Sequence, residues 1–371
     1  MKSLYAFLLI IFAFKAMGQD LPIDKDATRE TKKLYQNLKG IAFKGVLYGH
    51  QNDLAHGAGW DNQFDRSNVK ELSGSYPFVF GWDLGWLEVG KKRNIESIPF
   101  DNISRYIKFV YAQGGVNTIS WHFNNPVAPT EIVRTTKLVD STVSRLFSNP
   151  SNLNRYRSWL DTLANFVTNL KGPNGELIPL IFRPFHENTG NWFWWGNGQC
   201  TPEQYAKLWQ FTVNYLTRVK HVHNLLYAYS TDAFETQEQY LNRYPGDKYV
   251  DILGFDFYDG PKIDNDSVNL FTPKALQMVK VVRQLGQQKQ KIWAFTETGY
   301  KNMPIKNWWT NNLYPVLKNS GLSYILIWGY YKPDDYFDTF KGQASADDFM
   351  DFSKNHNILF LNDKPKNWIY K

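Results

Sequence analysis

Two glutamates, Glu187 in the segment IFRPFHENTGNWFWWG and Glu297 in WAFTETGY, each place a carboxyl group at the end of an apolar run. Such a pair suits the hydrolysis of a glycosidic bond. One carboxyl must carry a proton near neutral pH and give it to the departing oxygen, while the other must be ionised to attack the anomeric carbon. In enzymes that retain anomeric configuration the two stand ~5–5.5 Å apart. The first group then takes a proton from the water that releases the sugar. A single glutamate in such a place is most often an ion-pair partner or a helix cap, and it is the pair with its neighbours that favours chemistry. Arg183, in the same run as Glu187, offers a guanidinium that would favour the ionised form of Glu297. An ion pair that only stiffens the fold is the alternative.

Other chemistries lack their residues. His186-Glu187 resembles the opening of a zinc-peptidase helix, but the second histidine would fall at Gly190. His50, His56, His122 and His186 are scattered over different apolar runs, so no metal is expected. No G-x-S-x-G turn for a serine nucleophile occurs. The glycines at 57 and 59 are not followed by a helix-forming stretch that would cradle phosphate. Cys200 is the single cysteine and is read as a packing residue. No cofactor is expected.

The elements that must position the glutamates alternate regularly. Eight apolar runs, at 41–48, 78–82, 116–122, 177–185, 225–230, 252–257, 292–297 and 324–328, read as strands separated by amphipathic segments. The clearest helix start is Thr201-Pro202-Glu203-Gln204, a capping hydroxyl, a proline at the first helical position and a glutamine able to close a capping box. Its apolar face runs through Tyr205, Leu208, Trp209, Thr212, Tyr215, Leu216 and Val219. Ser345 with Asp348 suggests a similar start for a last helix to about Asn355. Strict strand–helix alternation implies parallel strands and hence a (β/α)8 TIM barrel as one domain over 19–371, with a doubly wound open sheet as the alternative. In such a barrel functional groups collect at the C-terminal strand ends. The polar residues there are His50, Trp82, Asp83, His122, His186, Glu187, Asp256, Tyr258, Glu297 and Trp328.

Residues 1–18 combine Lys2, an apolar run from Leu4 to Phe14 and small residues at Ala16 to Gly18, the layout of a secretory signal peptide. The run falls short of the ~20 residues that span a bilayer, so no membrane insertion is expected. No cysteine follows it to carry a lipid, so an exported periplasmic or secreted enzyme without a lipid anchor is expected. The formal charge of +7 falls to +5 once Lys2 and Lys15 leave, and no long run of like charge appears, which argues against nucleic acid as a partner. The 17% aromatic content, with 14 Trp, suits sugar binding, because indole faces pack on pyranose C–H faces while the N–H remains a donor. A monomer is expected, with a dimer as the alternative.

Taken together, the blocks GHQNDLAHG (49–57), YPFVFGWDLGWLE (76–88), TISWHFNNP (118–126), RPFHENTGNWFWWG (183–196), DILGFDFYD (251–259), FTETGY (295–300) and ILIWG (325–329) resemble glycoside hydrolase family 26, the β-mannanases. The resemblance implies a retaining (β/α)8 enzyme acting on β-1,4-linked mannan, glucomannan, galactomannan or manno-oligosaccharides. The same scaffold acting on β-1,3-xylan or mixed-linkage β-glucan is one alternative, and a non-catalytic sugar-binding barrel is another. It further implies Glu187 as acid/base, Glu297 as nucleophile, His186 orienting the acid/base and His122 near the nucleophile and the first sugar. Trp192 would line the leaving-group side, Asp256 and Tyr258 would lie by the cleavage point, and Trp328 would be a sugar platform. His56, Trp60, Trp82 and Asp83 would shape the distal sugar-binding sites. Among the crowded Trp192, Trp194 and Trp195, at least one is expected to be a core wedge.

Overall fold

The computed structural model describes residues 20–128, 141–260, 270–329 and 336–371; the expected signal segment, 1–18, lies outside them. Eight parallel strands form the centre: β1 (Val46–Gln51), β2 (Val79–Asp83), β3 (Val116–Ser120), β4 (Leu180–Arg183), β5 (Leu225–Thr231), β6 (Ile252–Asp256), β7 (Ile292–Thr298) and β8 (Tyr324–Ile327). Each pairs with the next in sequence, and β8 returns to β1 with Ile327 opposite His50, so the sheet closes and leaves no edge strand inside the barrel. This is the expected (β/α)8 barrel. Ile358–Leu359 adds a short parallel pairing on Val46 and Leu47.

Every residue of the eight strands is buried, as parallel strands covered on both faces require. Their outer faces meet helices such as Phe100–Gln113, Pro150–Thr168, Pro202–Asn214 and Phe271–Lys289. Strand alternation decides which residues look inward. On β2, Phe80 and Trp82 stack on the outer face, with Trp82 also against Tyr106 of helix Phe100–Gln113. Gly81 looks inward, where a Cβ would come within 1.9 Å of the Gln51 amide oxygen. Among the described residues no helix is long and apolar enough to cross a membrane.

Two element boundaries differ from expectation. The first strand starts at Val46, not at residue 41, because Ile41 belongs to the preceding helix Arg29–Gly40: Leu34, Leu38 and Ile41 lie at spacings of four and three on its buried face. The Ile41 N–H still bonds to Asn37, and Phe43 then turns the chain with φ 63°. The fourth strand is shorter at both ends, for Leu177 makes only an isolated antiparallel bridge to Lys171 and Phe185 has φ 51°. The capping box Thr201/Gln204 forms as read. The Ser345 start does not. The helix Ala346–Ser353 is present, but the Ser345 hydroxyl bonds to Thr339 and Gln343, and Asp348 accepts from the Trp309 N–H at 2.8 Å instead of capping.

Candidate active site

The loop after β4 carries Glu187 in an unusual backbone. Phe185 and Glu187 both have left-handed φ values, 51° and 52°, a conformation that costs of order 1–3 kcal/mol for a residue with a side chain. Four bonds hold it. Tyr205 in the capped helix donates to the Phe185 carbonyl at 3.0 Å, Trp195 Nε1 to the His186 carbonyl at 2.9 Å, Asn188 to the Ser230 carbonyl at 2.9 Å, and the Gly190 N–H to the Glu187 carbonyl at 2.9 Å. The two glycines of GNWFWWG are needed sterically: a Cβ at Gly190 would come 2.3 Å from the Trp192 indole, and one at Gly196 would come 2.3 Å from the Gly190 carbonyl.

Trp192 Nε1 donates to Glu187 Oε2 at 2.6 Å from a half-buried position. Trp194 and Trp195 are buried wedges, their N–H groups spent on the Phe123 and His186 carbonyls. Burial pushes the Glu187 carboxyl well above the usual carboxylate range, with the charges of Glu297, Asp256 and Asp232 adding to the effect; the Trp192 bond opposes it only in part. Of those charges, that of Glu297 acts most strongly.

Glu297 sits in the opposite environment. Arg183 Nη2 donates to Glu297 Oε2, and Tyr258 donates its hydroxyl to Glu297 Oε1. The guanidinium is shared, since Arg183 Nη1 also donates to Asp256 Oδ2 at 2.6 Å. Burial raises Asp256 to about 7 against the pull of Arg183. Burial and the charge of Glu297 likewise keep the Tyr258 phenol protonated, so it remains a donor. One carboxyl is thus set to hold a proton, and the other is matched by a cation and a hydroxyl.

Glu297 can face the site only because β7 is irregular. Thr296 turns its hydroxyl to Asp256 Oδ1 at 2.7 Å and to Ser230 at 2.9 Å, on the same side as Glu297, although consecutive strand residues ordinarily alternate. The register with β6 shifts between Phe255 and Asp256, and that with β8 shifts between Ile325 and Ile327. An extra residue is therefore accommodated in β7, the way a bulge re-aims a side chain.

His122 and His186 meet at 3.1 Å through their Nε2 atoms, and His122 Nδ1 lies 2.7 Å from Asp83 Oδ2. Trp328, half-buried, stands edge-on to His122 with ring centroids 6.4 Å apart. Phe193 packs on both histidines. The structure thus gathers Glu187, Glu297, Arg183, His122, His186, Trp192, Asp256, Tyr258 and Trp328 at one end of the barrel. His56 lies at the rim, its two ring nitrogens engaged by Asp61 at 2.7 Å and the Glu96 carbonyl at 3.0 Å. Trp60 is buried, its N–H on Asn68.

Trp82 is a correction. Expected as a sugar contact, it is fully buried between β2 and a helix, with its N–H on the Asn117 side chain at 2.9 Å. The alternation Phe80, Gly81, Trp82, Asp83 carried the signal: if the glycine faces the crowded interior, both large aromatics face the helices. Asp83 is also no distal contact, since it is buried beneath His122. Sequence reading missed Glu96, whose carboxyl is raised to about 8 by burial and by the charge of Asp83, and which accepts from Asn94 at 3.3 Å. Nothing in ESIPF marks that glutamate as buried. Cys200 packs as read, its sulfur 2.9 Å from Arg243 Nη2. Among the described residues no group of three or more His, Cys, Asp and Glu side chains is arranged to hold a metal ion.

Comparison with known proteins agrees with this geometry. The model of glycosyl hydrolase family 26 matches residues 23–320. A mannan endo-1,4-beta-mannosidase of Bifidobacterium adolescentis is 34% identical over 282 residues, which cover 74% of this chain and 27% of that protein. One of Bacillus subtilis is 30% identical over 253 residues, covering 64% of this chain and 66% of that protein. The chain therefore spans only part of the length of these relatives. Among solved structures, a GH26 beta-mannanase from Bacteroides ovatus superposes with a TM-score of 0.86 at 40% identity, covering 93% of this chain and 98% of that one. A modular endo-beta-1,4-mannanase from Cellulomonas fimi gives 0.82 at 31% identity, covering 93% and 78%. The chain belongs to glycosyl hydrolase family 26.

Proposed function

We propose that this protein hydrolyses β-1,4-mannosidic bonds in mannan, glucomannan, galactomannan or manno-oligosaccharides with retention of anomeric configuration. Glu187 is the acid/base and Glu297 the nucleophile. The observation that carries the reading is the contrast between the two carboxyls, Glu187 held protonated by burial and negative neighbours, and Glu297 matched by Arg183 and Tyr258. The choice of mannan is supported by the β-mannanases to which the chain is similar. The leader-like pattern of 1–18 supports action outside the cytoplasm.

In the first step a Glu297 oxygen bonds to the anomeric carbon as the glycosidic C–O bond breaks, and Glu187 gives its proton to the leaving oxygen. Glu187, now ionised, takes a proton from water, and that water displaces Glu297 from the sugar. Trp328 and Trp192 offer indole faces to the sugars on either side of the cleaved bond.

Proton NMR of fresh digests of mannohexaose should show the β-anomer first. Glu297→Ala should abolish turnover of every substrate. Glu187→Ala should slow natural mannan by roughly 10²–10⁴-fold, yet spare an aryl mannoside whose leaving group needs no proton. Equal loss on both substrates would refute the acid/base assignment. Faster cleavage of xylo- or gluco-oligosaccharides than of mannohexaose would refute the substrate, and mannan binding without release of reducing sugar would refute catalysis.

A further inference from the structure

Asp83 ends β2 with its side chain fully buried, and four donors converge on it. Oδ1 accepts from the Gly85 N–H at 2.7 Å. Oδ2 accepts from the Ser120 hydroxyl at 2.7 Å, the His122 N–H at 3.3 Å and His122 Nδ1 at 2.7 Å. Burial alone would raise this carboxyl, but four donated hydrogen bonds favour its charged form. It is a carboxylate and can only accept.

That sets the ring above it. His122 Nδ1 must carry a hydrogen, so the neutral ring is left with a lone pair at Nε2. His186 Nε2 lies 3.1 Å away, with the rings nearly perpendicular at 81°. Of two facing nitrogens one must donate, and with His122 accepting, the hydrogen lies on His186 Nε2. The donor and acceptor roles of the two rings are therefore set together, and Asp83 selects the arrangement. His186 directly precedes Glu187, whose backbone is held in a left-handed conformation.

We propose that Asp83 is a positioning residue for the acid/base: by accepting from His122 Nδ1 it fixes the tautomers of His122 and His186 and so seats Glu187. The inference rests on the reading of Glu187 as acid/base. With its Nε2–H held by His122, the His186 ring keeps one orientation beside Glu187, and the carboxyl that must deliver the proton is aimed by the same turn. Asp83 touches no substrate, so its influence falls on the step in which a proton is delivered.

Two measurements on the full chain test this. Nitrogen-15 NMR of histidine-labelled wild-type protein should show His122 with hydrogen on Nδ1 and His186 with hydrogen on Nε2. Asp83→Asn keeps the shape but turns an amide donor toward other donors. It should lower kcat on mannohexaose by roughly 10²-fold, the lower end of a general acid's contribution, with KM little changed and a much smaller loss on a dinitrophenyl mannoside. A residue that merely supported the loop through Gly85 would slow both substrates alike, and that result overturns the proposal. So does His122 carrying its hydrogen on Nε2 in the wild type, a result that stands even where the variant fails to fold. Failure of the underlying reading looks different: wild-type protein would release no sugar from mannohexaose, or Glu187→Ala would show no dependence on the leaving group.

Discussion

Trp192 acts directly on Glu187, because its indole N–H bonds to the carboxyl at 2.6 Å. A hydrogen bond to the charged form favours that form, so Trp192 pulls the Glu187 pKa down while burial and negative neighbours push it up. Trp192→Phe keeps much of the ring and removes the donor, which should raise the pKa further. The alkaline limb of kcat should then move to higher pH, and hydrolysis of the glycosyl-enzyme should slow at neutral pH because the anionic base is less well stabilised. A pH–rate profile superposable on that of the wild type would contradict this. Tyr258→Phe removes the hydroxyl that Glu297 accepts from, a bond to a charged group worth about 1.5–3 kcal/mol, so kcat should fall roughly 10–100-fold in steady-state assays. At this scale the sequence was informative where a residue ends a strand or closely follows one, as Asp256 and Glu297 end theirs and Trp328 and Glu187 follow theirs. It misled at Trp82, where residue type suggested sugar binding and strand parity placed the ring among helices.

Elements decide how accurately those residues are aimed. Alternating strands and helices were legible because parallel strands buried on both faces leave long apolar runs, and Thr201 with Gln204 marked a helix start by local bonding alone. The irregularity in β7 was not legible, since FTETGY carries no glycine at the shift and the cause is tertiary: the Thr296 hydroxyl engages Asp256, Ser230 and the Phe255 carbonyl together. The left-handed turn at Phe185 and Glu187 was hidden for the same reason, being imposed by Tyr205 of the following helix, by Trp195 further along the loop and by the bond of Asn188 to Ser230. Thr296→Val should test the bulge, for it keeps the side chain's shape and strips the hydroxyl from a buried polar cluster. Stability should fall by about 1–3 kcal/mol in urea unfolding, the cost of leaving buried partners unsatisfied. Activity should fall further than at a site remote from the mouth, because Asp256 and Arg183 lose their alignment toward Glu297. A variant as stable and as active as the wild type would show that the bulge needs no hydroxyl.

At the scale of the whole molecule, the barrel end concentrates buried acids. Burial is the first cause in each case, raising Asp53 to about 6, Asp256 and Glu88 to about 7 and Glu96 to about 8. A carboxyl whose pKa is higher folded than unfolded holds its proton more tightly in the native state. Below the unfolded values, near 4, both states are protonated and stability is full. As pH rises toward 8 the unfolded chain ionises freely while the native acids resist, so stability declines across that window. Surface charge acts in the opposite sense, because a chain of formal charge +7 repels itself less as it loses protons. Screened surface repulsion is weak beside acids held this far from water, and the buried groups should prevail. Thermal unfolding at moderate salt should therefore show Tm falling from pH 5 to pH 8. Glu96→Gln keeps a neutral group that can still accept from Asn94 and cannot ionise, so it should flatten the upper part of that decline while changing little at pH 5. Parallel wild-type and variant profiles would mean that Glu96 titrates as it would in water, and its buried charge would then have to be solvated by a route other than the contacts described.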